Sequence, residues 1–318
     1  MRVGQNPAKY VKDVAKPARV TVAVLNYIPF LSGFYAEMQD VLKACLESIW
    51  QNTDLPYDLM VFDNGSCSEV CQYLLDRYEE GRIQFLTLSE KNLGKGGAWN
   101  MILGGAPGEL VAYTDNDCYF RPGWLSRSIE LLETFPNVGM VTARPFRTNP
   151  EFYTRSVGWG EETLGVSVER GQFIPWEVFK EFDLSLGQSE EEIRQHYQVT
   201  EDVRLTYHDR QAIVGASHWQ FLARKETLAR FLPFSMDRPM GQVKQLDMRM
   251  NEAGLLRLMP TDPLAMNMSN TLRSMPGLVS TVAVHSPSGK KTPLLDFPPV
   301  KKILLSLYDS IFRWYYDR

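Results

Sequence analysis

Short apolar runs alternate with stretches of helical periodicity from Arg19 to Met140, and this alternation restricts the fold more than any other feature of the chain. The runs "VTVAVL" (20–25), "DLMVFD" (58–63), "IQFLTL" (83–88) and "ELVAYTD" (109–115) read as strands. Between the first two, Phe34, Met38, Val41, Leu42, Cys45 and Ile49 recur at steps of three and four, the apolar face of a helix. "SEVCQYLLDRYEEG" (68–81) reads as a second helix stopped at Gly81. "PGWLSRSIELLETF" (122–135) reads as a third, with Pro122 in its first turn, where a missing N–H costs nothing. Strands alternating with helices predict an α/β fold, a Rossmann-like and mostly parallel sheet flanked by helices. Ligands of such sheets gather at the carboxyl ends of the strands, which places Asp63, Asp115 and Asp117 along one edge.

Composition removes several function classes. A formal net charge of −4 supplies no basic field, which argues against nucleic acid as a partner. The four cysteines are too few for a disulfide scaffold, and Cys67 and Cys71 lack neighbours to complete a metal site. They read as reduced thiols of a cytoplasmic protein. The first 18 residues are polar and have no signal-peptide core. No apolar run reaches the roughly 18 residues of a membrane span, so any membrane contact is expected to be peripheral, at the inner face.

Beyond residue 145 the rhythm breaks. Residues 146–210 hold Trp159, Trp176 and a capping-box start, Ser189 with Glu192, and read as an insertion or acceptor-side subdomain. A further strand–helix unit spans 212–232 within a second half, 211–285, and another helix spans 241–254. The extension 286–318 ends in an amphipathic helix over 300–318, with Leu304, Leu307, Tyr308, Ile311 and Tyr315 on one face. That face is expected to pack on the body, to self-associate, or to touch a membrane surface.

The chemistry is carried by a series of short motifs in order. Alone, the "DND" of Asp115 and Asp117 reads as a turn as readily as a metal site. Its neighbours change the balance. "FDNGS" ends a strand at Asp63, whose carboxylate can accept from a nucleobase N–H or a ribose hydroxyl. In "NLGKGGAWN" (92–100), Gly94, Gly96 and Gly97 permit close backbone approach and Lys95 can meet phosphate. Together, "VTVAVLNY", "DNGS", "NLGKGGAWN", "YTDNDCYFRPGWL" and "NVGMVTARP" resemble the nucleotide-sugar half of family 2 glycosyltransferases, the GT-A fold, over residues 19–145. A looser resemblance runs over 212–268.

The resemblance implies a UDP-, GDP- or dTDP-sugar donor and a glycan, lipid or other hydroxyl acceptor. Asn26, Asp63, Asn92, Gly94, Lys95 and Asp115 would meet the nucleotide sugar. Asp117, with Asp115 at the metal shell, would ligate Mn²⁺ or Mg²⁺ on the diphosphate, a hard cation for which one or two protein carboxylates suffice. A metal neutralises the charge that grows on the leaving phosphate. An acceptor-side carboxylate would take the hydroxyl proton in a single, inverting displacement.

Two departures stand out. Val243 and Gln245 fall where the family carries acids, which leaves Asp247 as a base candidate inside the helix and Asp237 as its competitor in the preceding loop. Asn267 falls where many relatives supply a metal-binding histidine, with His285 as a more distant substitute. His218 and Trp219 are expected at the acceptor pocket, the indole as a stacking surface for a sugar. The missing acids keep open a catalytically silent nucleotide-sugar-binding module. A nucleotidyltransferase is disfavoured because "VLNYIPFLSG" lacks a glycine-rich basic loop after the first strand.

Overall fold

The computed structural model describes residues 4–237, 241 and 244–272. The first half runs β1 (Val20–Asn26), α1 (Met38–Asn52), β2 (Tyr57–Asp63), α2 (Ser68–Glu79), β3 (Phe85–Leu88), α3 (Gly94–Gly105), β4 (Leu110–Asp115), β5 (Cys118–Phe120), α4 (Trp124–Thr134) and β6 (Val138–Val141). Next come α5 (Thr154–Glu162), β7 (Ser167–Gly171), α6 (Trp176–Ser185), α7 (Glu190–Val199), β8 (Asp202–Tyr207) and β9 (Arg210–Val214). The series closes with β10 (Gln220–Arg224), α8 (Lys225–Ala229), α9 (Lys244–Glu252), β11 (Leu256–Met259) and β12 (Ala265–Asn267).

Ten strands form one sheet in the order β3-β2-β1-β4-β10-β6-β11-β9-β8-β7, while β12 and β5 form a separate antiparallel pair. β3, β2, β1 and β4 are all parallel. Only β10, β9 and β7 run against the rest, so the sheet is mixed but mostly parallel, as the alternation predicts. β1 shows why its sequence is a near-continuous apolar run: both faces are covered. Val20, Val22 and Val24 join a core with α1, α2 and α4, whereas Ala23 and Leu25 join a second core with α3, α8 and α9.

Several local expectations need correction. Phe34 is 65% exposed in a 3-10 turn ahead of α1, not on its buried face. Pro122 lies in a turn outside α4, because Gly123 takes a left-handed conformation (φ 83°) and the helix starts at Trp124. The unit over 212–232 is two strands, β9 and β10, separated by the turn 215–219, then α8. Within segment 146–210, β7 and β8 extend the edge of the main sheet through β9. The capping box of Ser189 and Glu192 opens α7 as read. Val243, His285 and the helix over 300–318 lie outside the described residues. No helix among the described residues is long and apolar enough to cross a membrane.

Candidate active site

Strand register brings the motifs together. Asn26 is level with Asp63 across β1 and β2, and Leu25 is level with Asp115 across β1 and β4. Asn26, Asp63, Asp115 and the residues that follow them therefore share the carboxyl edge of the parallel half.

At the β2 end everything is sealed. Asp63 is fully buried; its Oδ2 accepts from Asn26 Nδ2 at 2.6 Å and its Oδ1 from the Ser66 and Gly65 amides at 2.8 and 3.2 Å. Asn64 is bound to Asn92 (3.0 Å) and to the Leu93 amide (2.8 Å), while Asn92 Oδ1 accepts from the Gly94 amide at 2.8 Å. The Asp63 carboxylate, expected from the sequence to meet a base or ribose, is engaged within the chain in this structure. It fixes the turn after β2, and with Asn64 and Asn92 it ties that turn to the start of α3.

The glycine loop also differs from its reading. A Cβ on Gly96 would collide with the Ser235 carbonyl oxygen, and one on Gly97 would lie 2.8 Å from Met236 Cε. These glycines admit the protein's own chain at 235–236 rather than a phosphate. Lys95 is not solvated. It is 14% exposed, with Nζ 2.6 Å from Asp115 Oδ2. Asp115 Oδ1 accepts from the Tyr113 hydroxyl at 2.5 Å.

Asp117 is the exception along this edge. Its Oδ1 is buried and has no hydrogen-bond partner. Burial and the Asp115 carboxylate push its carboxyl up to about 7, against the pull of Lys95. An unpartnered carboxylate oxygen beside a second carboxylate suits a hard divalent cation. Among the described residues no group of three or more His, Cys, Asp or Glu gathers into a metal site, so a cation here would complete its shell with phosphate and water oxygens. Asn267 is close through the backbone, since β12 pairs with β5 and the Met268 amide donates to the Asp117 carbonyl at 2.7 Å. Its own Oδ1 is taken by the Ser269 amide at 2.7 Å.

Trp219, expected from the sequence as a stacking surface, is 8% exposed and packed against Phe182 and Phe146. Its carbonyl accepts from the Asp115 amide at 2.9 Å, so the turn 215–219 borders the two acids. His218 in that turn lies 2.7 Å from Asp247, whose other oxygen meets Arg257. Asp237 is exposed on the segment that covers Gly96 and Gly97. No motif singles out Tyr113, Asn116 or Arg257. Asn116, however, lies between the two acids and donates to Asn26 Oδ1 at 2.6 Å, joining the β1 and β4 ends.

A mostly parallel sheet with a glycine-opened helix and paired carboxylates along one carboxyl edge defines a nucleotide-binding α/β protein. Residues 33–181, which build most of that edge, match the family described as Glycosyl transferase family 2. Fold and match together support a family 2 glycosyltransferase of the GT-A fold. Over 100 residues the chain is 27% identical to an uncharacterized glycosyltransferase of Nostoc sp., 31% of each chain. Similar solved structures include a mannosyltransferase of Pyrobaculum calidifontis in complex with GDP-Man and Mn²⁺, at 18% identity and a TM-score of 0.48, covering 80% of this chain and 57% of that one. TarS of S. aureus follows at 13% identity and a TM-score of 0.49, covering 81% and 38%. The chain thus spans about a third of the length of the curated relative it matches.

Proposed function

We propose that this protein is an inverting, metal-dependent glycosyltransferase that moves a sugar from a nucleoside diphosphate sugar to a hydroxyl of a glycan, lipid or other acceptor. The observation that carries the reading is Asp117: a buried, unpartnered carboxylate oxygen at the ligand edge, beside a carboxylate that already holds a lysine.

Asp117, with Asp115 next to it, would hold Mn²⁺ or Mg²⁺. When bound, the ion supplies charge neutralisation for the leaving diphosphate. Lys95 is placed on Asp115 to add a second positive charge at the same locus as the diphosphate arrives. Asn26, Asn116, Asp63, Asn64 and Asn92 hold the β1, β2 and β4 ends and the start of α3 in one rigid frame, so the donor site is formed before the donor binds. Attack by the acceptor oxygen opposite the departing phosphate inverts the anomeric carbon.

The test is hydrolysis and binding of UDP-, GDP- and dTDP-sugars with Mn²⁺, with and without EDTA, for wild type and Asp117→Ala. Metal-dependent turnover lost in the variant, with an inverted product anomer by NMR, is the expected result. Absence of binding to any of these donors sinks the reading.

A further inference from the structure

The incoming hydroxyl must lose a proton, and the sequence offers two carboxylates for it, Asp247 in α9 and Asp237 on the segment over Gly96 and Gly97. Asp247 is 2% exposed on α9. Its Oδ2 lies 2.7 Å from His218 Nδ1, and its Oδ1 accepts from the Arg257 guanidinium. Both oxygens are engaged inside the fold, so Asp247 presents nothing to an acceptor.

The histidine does. A carboxylate against Nδ1 fixes the tautomer that carries the proton there, which leaves Nε2 as the acceptor nitrogen. Nε2 has no hydrogen-bond partner among the described residues, and the side chain is 23% exposed. The turn that bears it is pinned at every step. The Gly215 amide donates to the Arg257 carbonyl at 2.9 Å, and the Arg257 guanidinium donates to the Ala216 carbonyl. The Ser217 amide donates to Thr142 Oγ1 at 2.8 Å, and the Trp219 carbonyl accepts from Asp115. Gly215, at φ 128°, admits Met259 where a side chain would clash. A rigid turn therefore holds a half-buried imidazole one residue from the hydrogen bond that anchors the first acid of Asp115 and Asp117. This is the arrangement general base catalysis needs: a ring oriented by a carboxylate, with its second nitrogen left free to accept.

The geometry points to His218 as the group that takes the acceptor's proton, with Asp247 as its positioning residue, an inference that rests on the glycosyl-transfer reading above. As the acceptor oxygen bonds to the anomeric carbon, its O–H bond breaks and the proton passes to Nε2. The bond from the anomeric carbon to the diphosphate oxygen breaks, and its electron pair leaves with the nucleoside diphosphate. The imidazolium then returns its proton to solvent.

The experiment uses the full chain, Mn²⁺, and UDP-glucose, UDP-N-acetylglucosamine and GDP-mannose with water as acceptor, alongside donor binding by calorimetry. His218→Gln and His218→Ala are expected to lower kcat by about 10²–10⁴-fold while the donor Kd stays within about threefold. Added imidazole restores part of the His218→Ala activity. Asp247→Asn gives a smaller loss with the ring still present, and adds little when combined with His218→Ala. Turnover by His218→Gln within about threefold of wild type overturns the assignment. So does loss of turnover in Asp237→Asn when His218→Gln is unaffected. If wild type binds and turns over no donor, the glycosyl-transfer reading fails and this assignment falls with it; active wild type with active His218→Gln removes the assignment alone.

Discussion

The turns after β2 and β4 begin alike and end differently. Each strand delivers an acidic residue to the same sheet edge, and an asparagine follows it in each turn. At the β2 turn, Asp63 is wholly buried and both oxygens are bonded, to Asn26 and to two backbone amides. At the β4 turn, Asp115 is held by Lys95 and Tyr113, and Asp117 keeps a buried oxygen with no partner at all. A satisfied buried carboxylate holds structure, whereas an unsatisfied one carries a desolvation cost that a proton or a bound cation can offset. The acids that a motif scan treats as equivalent thus divide into frame and site.

That division can be broken from either side. The largest effect is expected for Asp117→Ala, which should lower metal-dependent donor turnover by about 10²–10³-fold while leaving the urea midpoint unchanged or raised. Asp63→Ala should do the reverse. It strips partners from Asn26 and two amides and should cost about 2–4 kcal/mol in urea unfolding, a larger loss of stability than of donor affinity. If Asp63→Ala kept its stability and lost the nucleotide, the comparison would collapse.

The pH response sharpens the same contrast. Burial and the neighbouring Asp115 push the Asp117 carboxyl up from 3.8 to about 7 in the folded chain. The folded state therefore binds more protons than the unfolded one between those values, so the contribution of this group to stability falls as pH rises from about 4 to about 7. Asp117→Asn removes that penalty and should stabilise the cation-free protein by about 1–3 kcal/mol at pH 8, read from urea titrations at pH 5 and 8. Mn²⁺ should bind wild type more tightly as pH rises through about 7, with protons released below it, which calorimetry in buffers of different ionisation enthalpy will show. The smallest effect is expected for Lys95→Met. Loss of one cation from a partly screened site should weaken donor binding by about three- to tenfold.

Part of this site is visible in the motifs themselves. The four strands of the parallel half, the helix face of Met38, Val41, Leu42, Cys45 and Ile49, and the placing of Asp63 and Asp115 at strand ends all follow from local periodicity. Phe34 and Pro122 fall outside their helices because helix starts depend on local backbone conformation, as at the left-handed Gly123 that sets Pro122 outside, which no periodicity encodes. Trp219 illustrates the other difficulty. An aromatic beside a site motif reads the same whether it faces a sugar or, as here, Phe182.

What the chain alone determined is the α/β alternation and the edge on which its acids fall, because strand and helix periods are local and side chains of one strand end must share a neighbourhood. What only the tertiary structure decided is the state of each group there. Asn26 seals Asp63 from 37 residues away, Ser235 fills the space above Gly96, and Asp247 meets Arg257 and His218 across three separate elements. Whether a buried polar atom is satisfied depends on partners brought in from distant sequence, and on this edge that sets Asp117 apart from Asp63.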